Sequence, residues 1–118
     1  MKTDIWVSFN YGGWTISFSK VIELPFAPFV GMWISEDTED GDENTIQLYQ
    51  HQYCETIICY YPRTKMFEVN VRNLWSRPVS DETIDEEIAR FTRFGWTRND
   101  RTNIKELKEL MARNHARL

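Results

Sequence analysis

Asp4-Ile5-Trp6-Val7-Ser8-Phe9-Asn10-Tyr11-Gly12-Gly13-Trp14-Thr15-Ile16-Ser17-Phe18-Ser19 is the stretch whose reading decides the fold. Ile5, Val7 and Phe9 alternate with Trp6 and Ser8, while Trp14, Ile16 and Phe18 alternate with Thr15, Ser17 and Ser19. A period of two sends successive side chains to opposite faces of a strand, so each run is half-buried. Asn10-Tyr11-Gly12-Gly13 reads as the turn, because glycine takes positive φ without steric penalty. Setting Phe9 opposite Trp14 brings Val7 to Ile16 and Ile5 to Phe18, gathering the apolar pairs on one face. A one-residue slip scatters them. Asp4–Ser19 is therefore expected to be a β-hairpin.

Outward from the hairpin, the second strand continues through Ile22 to Leu24, where Pro25 stops it. Phe29–Ser35 and Asn44–Gln50 are the next expected strands. Between them lies Glu36-Asp37-Thr38-Glu39-Asp40-Gly41-Asp42-Glu43, an acidic block with no basic residue. Such a block cannot bury itself, so residues 36–43 read as a solvated loop. Gln52–Tyr61 and Lys65–Asn73 follow, joined by Pro62-Arg63-Thr64. Two registers compete there. Placing Tyr61 opposite Met66 pairs Tyr60 with Phe67, Ile58 with Val69 and Thr56 with Val71, and sets Glu55 beside Arg72. The one-residue alternative sets Ile58 against Glu68. Cross-strand pairs are worth roughly 0.2–1 kcal/mol each, which selects the first register.

Beyond residue 80 the period changes to that of a helix. Ser80 is placed to cap a segment that opens with Asp81 and Glu82, and Ile84, Ile88 and Phe91 form its apolar stripe. Arg90 and Arg93 lie near its end, and Gly95 suits a left-handed stop. Asn103 with Glu106 forms a box-like cap for a second helix, striped by Ile104, Leu107, Met111, His115 and Leu118. The expected helices span about residues 80–94 and 103–117. The expected architecture is α+β: about six mostly antiparallel strands, a meander of hairpins, followed by two helices packed on one sheet face.

The 118 residues suit one domain spanning 1–118, and 42% apolar with 27% charged residues excludes a disordered chain. The longest apolar run, Leu24 to Ile34, is broken by Pro25 and Pro28 and falls short of the roughly 20 residues of a membrane span. A cytoplasmic setting without membrane contact is the expectation. Cys54 and Cys59, on opposite faces of one strand about 17 Å apart, cannot pair and read as free thiols.

The sequence offers little to catalysis. His51 and Cys54, three apart on an expected strand, point to opposite faces about 10 Å apart and form no dyad. His115 lies on an apolar helix stripe. No nucleophile elbow, phosphate loop or dinucleotide fingerprint occurs. An EF-hand is excluded, because with Gly41 sixth the twelfth loop position is Gln47, which cannot chelate in bidentate fashion. Neither a metal site nor a cofactor is expected.

Three functional readings remain. The first rests on apolar residues facing away from the helices: Trp6, Ile57, Cys59, Tyr61 and Met66. Two helices cover one sheet face but hardly both, so the second face needs sheet curling, the 24–29 loop or another chain. The chain then reads as a non-enzymatic protein-interaction module, self-associating or binding a protein partner, with the acidic loop a contact for a basic partner. The second is a small-ligand protein or enzyme with a pocket between sheet and helices, to which Tyr49, Tyr53 and Glu68 supply polar groups. The third is weak nucleic-acid binding through the basic–aromatic segment holding Arg93, Trp96, Arg98 and Arg101. The overall net charge of −4 argues against it.

Overall fold

The computed structural model describes residues 1–11, 14–76 and 81–116. Among them the elements run β1 (Lys2–Tyr11), β2 (Trp14–Glu23), β3 (Trp33–Asp37), β4 (Glu43–Gln47), β5 (Cys54–Tyr61), β6 (Met66–Ser76), α1 (Asp81–Arg93), β7 (Thr97–Arg98) and α2 (Ile104–Ala116). The class is the expected α+β. The strands form a five-stranded sheet of order β5-β6-β1-β2-β7 and a separate two-stranded sheet, β3-β4. The meander is therefore interrupted. β6 returns beside β1 and pairs with it in parallel, while the other strand pairs are antiparallel.

The first hairpin keeps its faces but shifts its register by two. Tyr11 pairs with Trp14, Phe9 with Ile16 and Val7 with Phe18. The physical reason is loop length. Only residues 12 and 13 separate the paired positions, and two-residue connections fit the strand twist best. Trp14 stays on the Ile5 and Val7 face, because a shift of two preserves alternation. At β5-β6 the expected register is the observed one, from Tyr61 opposite Met66 to Glu55 opposite Arg72. Arg72 and Glu55 meet at 3.5 Å.

One sheet face carries the core. Ile5, Val7, Phe9, Tyr11, Ile16, Phe18, Val69 and Val71 are buried there, against Ile84 and Phe91 of α1, Leu107 of α2, Ile34 and Ile46 of the small sheet and Leu48 just beyond it. The acidic block is thus not a free loop but the tip of the β3-β4 hairpin, closed by Thr38 N–H to Asp42 O at 2.9 Å. Its charges are partly used inside the molecule. Lys20 bridges the Glu36 carboxylate and the Phe94 carbonyl, and Trp96 Nε1 donates to Glu36 at 2.7 Å. Arg93 pairs with Asp42.

Helix ends follow the sequence. Asn103 Oδ1 accepts the Glu106 N–H at 3.2 Å, capping α2. Ser80, Arg117 and Leu118 lie outside the described residues, as do residues 12 and 13 and the side chains of Met111 and His115. α1 stops at Gly95, whose φ is +81°. Gly95 N–H reaches Thr92 O and Trp96 N–H reaches Phe91 O at 3.0 Å, while the Trp96 ring packs edge-on against Phe91 at 5.3 Å. This is a Schellman stop complete with its apolar contact. A Cβ added at Gly95 would meet nothing closer than the end of the Lys20 side chain at 3.8 Å, so the constraint is backbone strain rather than crowding. Gly95→Ala should therefore lower stability by about 1–2 kcal/mol, the left-handed penalty for a side chain. Urea denaturation should show an earlier midpoint at an unchanged slope.

Candidate functional site

The sheet face opposite the core is built by strict alternation. It presents Asp4, Trp6 and Ser8 from β1, Ser17, Ser19 and Val21 from β2, Met66, Glu68, Asn70, Arg72 and Leu74 from β6, and Ile57, Cys59 and Tyr61 from β5. The registers set these in rows. Cys59, Glu68, Asp4 and Val21 lie side by side, and the next row holds Ile57, Asn70, Trp6 and Ser19. All five residues assigned to a contact surface from the sequence, Trp6, Ile57, Cys59, Tyr61 and Met66, share this face.

The face is open. Ile57 is 43% exposed, Tyr61 48%, Val21 54% and Leu74 47%, with Cys59 exposed and Trp6 and Met66 half-buried. The Leu24–Phe29 segment does not cover it. Leu24 joins the core on the other face, and from there the chain runs to β3, where Gly31 N–H reaches Leu48 O at 2.7 Å. Phe26 and Phe29, stacked at 6.1 Å, are themselves exposed, as are Val30 and Trp33. That loop is instead a second apolar surface.

At the end of the open face, beside the β5-β6 turn, lies a depression of about 410 Å³ lined by Asp4, Tyr61, Arg63, Met66, Phe67 and Glu68. The Tyr61 hydroxyl has its pKa raised, chiefly by the Glu68 carboxylate, then by Cys59. Asp4 and Glu68 are direct neighbours across the parallel pair, a like-charge contact that local pattern could not foresee. Near the centre, the Trp6 Nε1–H is buried without an acceptor among the described residues.

The pocket expected between sheet and helices does not gather its residues. Tyr49 lines a narrow cleft of about 170 Å³ with Phe9, Cys54, Asn73, Arg90 and Phe91. Glu68 sits on the opposite face, and Tyr53 lies exposed in a turn. Strand parity separates them. β5 begins at Cys54 rather than Gln52, and His51 pairs with Cys54 across that two-residue turn instead of lying along one strand. Burial raises the Cys54 thiol pKa, which disfavours the thiolate a nucleophile needs. Among the described residues no three His, Cys, Asp or Glu side chains cluster to hold a metal, and no helix is long and apolar enough to cross a membrane.

A buried polar group that the sequence reading missed lies beside this cleft. Tyr11 donates to Glu87, and Arg90 donates through Nε to Asn44 Oδ1 at 3.1 Å while its guanidinium lies 3.9 Å from Glu87. The signal was available: Glu87 stands three residues after Ile84 and four before Phe91, on the apolar stripe of α1.

The basic segment is spoken for. Trp96 is buried against Phe91, so it cannot stack on a base. Arg93 pairs with Asp42, and Arg98 holds both Asp100 oxygens, with 2.7 Å to Oδ2. Arg101 alone of the four residues stands exposed without such a partner in the described hydrogen bonds and ion pairs. Compared with known protein families, with characterised proteins and with solved structures, the chain matches none.

Asp100 locks the crossing from β7 to α2. Burial works to raise its pKa, but hydrogen bonds from Arg98, Ser17 N–H and Thr102 N–H outweigh it and hold the carboxyl below its ordinary 3.8. A depressed folded pKa gives stability that is present above the unfolded value and lost as pH falls through the folded one. Thermal melts from pH 6 down to pH 2 should show this. Asp100→Asn should melt earlier than the parent at pH 6, with the difference shrinking below about pH 4.

Proposed function

We propose that this protein is a non-enzymatic interaction module whose open sheet face seats another protein chain. The observation carrying the reading is the exposed apolar row Ile57, Cys59 and Tyr61, with half-buried Met66 and Trp6 beside it, on the side away from the helices and the small sheet. Monomers seldom leave contiguous apolar patches of more than a few hundred Å² unused. The exposed Phe26, Phe29, Val30 and Trp33 surface supports the same class of function, work by contact rather than by chemistry. Two free thiols fit a reducing, cytoplasmic setting.

A second reading has one observation in its favour. The depression of about 410 Å³ beside Tyr61 falls in the size range of small-ligand sites, and its Asp4 and Glu68 carboxylates would suit a cationic group. A small molecule retained in native mass spectrometry, and lost on Glu68→Gln, would favour it over the interface.

Replacing Tyr61 and Met66 together by Glu tests the main reading. Because Tyr61 is exposed and Met66 half-buried, the free chain should keep its far-ultraviolet circular dichroism and melt within a few degrees of the parent. In an interface the same charges would be desolvated without partners, at a cost of several kcal/mol. Light scattering across concentrations should therefore show an assembly in the parent and its loss in the variant. An identical mass for both proteins would refute self-association through this face.

A further inference from the structure

β5 is the outermost strand of the large sheet. Its outward backbone groups can be identified from their partners. Cys54 exchanges N–H and C=O bonds with His51, and Thr56 N–H reaches Gln50 Oε1 at 3.2 Å, so even-numbered residues point away from β6. Tyr53 O, by contrast, accepts from Leu74 on β6, as the alternation requires. The ladder to β6 runs without a register shift through Tyr61. Ile58 and Tyr60 therefore direct N–H and C=O groups outward, where they meet no partner among the described residues.

Exposed edges are normally guarded by lysine, proline, a bulge or an inward charge. β5, Cys-Glu-Thr-Ile-Ile-Cys-Tyr-Tyr, has none of these over its free half. The other edges do. Lys20 and Glu23 stand on the part of β2 beyond β7, and Glu36, Asp37 and Glu43 stand on the small sheet.

We infer that this edge takes a second copy of this chain, joined β5 to β5 antiparallel about a two-fold axis at Cys59. The inference goes beyond the face reading, adding an edge contact that leaves the open face free. A two-fold perpendicular to the sheet requires partners of equal parity, and the free groups must face each other. Centring on Cys59 meets both conditions, because it sets Ile58 of each copy against Tyr60 of the other. Centring on Ile58 would set Tyr60 against Thr56, whose N–H Gln50 already holds. Centring on Tyr60 would set Ile58 against Pro62, which has no N–H to give.

The chosen register is complementary in its side chains as well. Ile57 meets Tyr61 of the second copy on the open face, and Ile58 meets Tyr60 on the other. Glu55 is carried toward Arg63 of the second copy, while no like charges face each other. Two open faces then join into one continuous apolar surface. Cys59 meets Cys59 of the second copy at a non-hydrogen-bonded pair, where Cα atoms lie about 4.5 Å apart, within disulfide reach.

The test combines solution mass with cross-linking. Sedimentation of the reduced parent should show a monomer–dimer equilibrium. Copper–phenanthroline oxidation should trap a disulfide-linked dimer in the parent and in Cys54→Ser, but none in Cys59→Ser. Tyr60→Pro removes one outward N–H while keeping the β5-β6 hydrogen bonds, at the loss of the Tyr60–Phe67 ring contact of 4.8 Å, and should weaken dimerisation at least ten-fold. If that variant loses its circular dichroism, Cys59→Lys takes its place, bringing two ammonium groups together at the axis from an exposed position. A parent that stays monomeric, a dimer that ignores both edge variants, or a Cys59 that does not cross-link overturns the pairing. A dimer lost on the Tyr61 and Met66 double change, yet blind to both edge variants, overturns the edge pairing while leaving the face reading standing.

Discussion

Phe91 is the contact on which the rest depends. Its ring stacks on Phe18 with centroids 4.4 Å apart and planes within 6°, and meets Phe9 edge-on at 5.6 Å and Trp96 edge-on at 5.3 Å. Burying such a ring contributes about 2–3 kcal/mol, and well-placed aromatic pairs add about 0.5–1.5 kcal/mol beyond area. One side chain thereby fixes α1 on the first hairpin, and the Schellman stop that follows delivers Trp96 Nε1 to Glu36. Glu36 in turn holds Lys20 of β2, so the small sheet is tied down through the same corner. Covering material is concentrated on one side by this arrangement. The bare side of the sheet is its direct consequence.

The faces of the sheet were legible in the sequence, and so was the β5-β6 register. Alternation is a local property, and the Glu55–Arg72 pair breaks the tie between neighbouring registers. The first hairpin shows the limit of that argument. Shifting Phe9 from Trp14 to Ile16 changes every partner but no face, so side-chain pattern cannot distinguish the two, and turn length decides. The parallel pairing of β6 with β1 had no local signal at all. It joins residues some 64 positions apart, Asp4 with Glu68 and Trp6 with Asn70. Acidic residues 36–43 misled for a related reason: Lys20 and Arg93, which answer Glu36 and Asp42, are distant in sequence.

Of the candidate sites, the open face was readable because it needs only parity, and each of its five residues lies where parity put it. The grouping of Tyr49, Tyr53 and Glu68 needed a three-dimensional placement that parity itself forbids for Glu68 relative to the core side. Trp96 looked available beside its arginines, yet the residue after a helix stop packs back on the last turn, and that contact buries it. Glu87 was the reverse case, a charge standing on an apolar stripe that should have suggested a buried partner. Tyr11 is that partner.

The distribution of charge leaves the open sheet face with little for electrostatic attraction to act on. Charges pair within the strand region through Glu36 with Lys20, between the β3-β4 tip and α1 through Asp42 with Arg93, and between the two helices through Asp85 with Lys108. On the open face Glu55 is matched by Arg72, and Lys2 stands across from Glu23. What remains unmatched there is Asp4 beside Glu68, a pair that repels within its own sheet and would repel its image in any arrangement that stacked two faces together. An edge-to-edge arrangement keeps those carboxylates apart and in solvent. It also places the uncharged half of β5 where water is excluded, which is the division of labour that a sheet with one covered face and one unguarded edge allows.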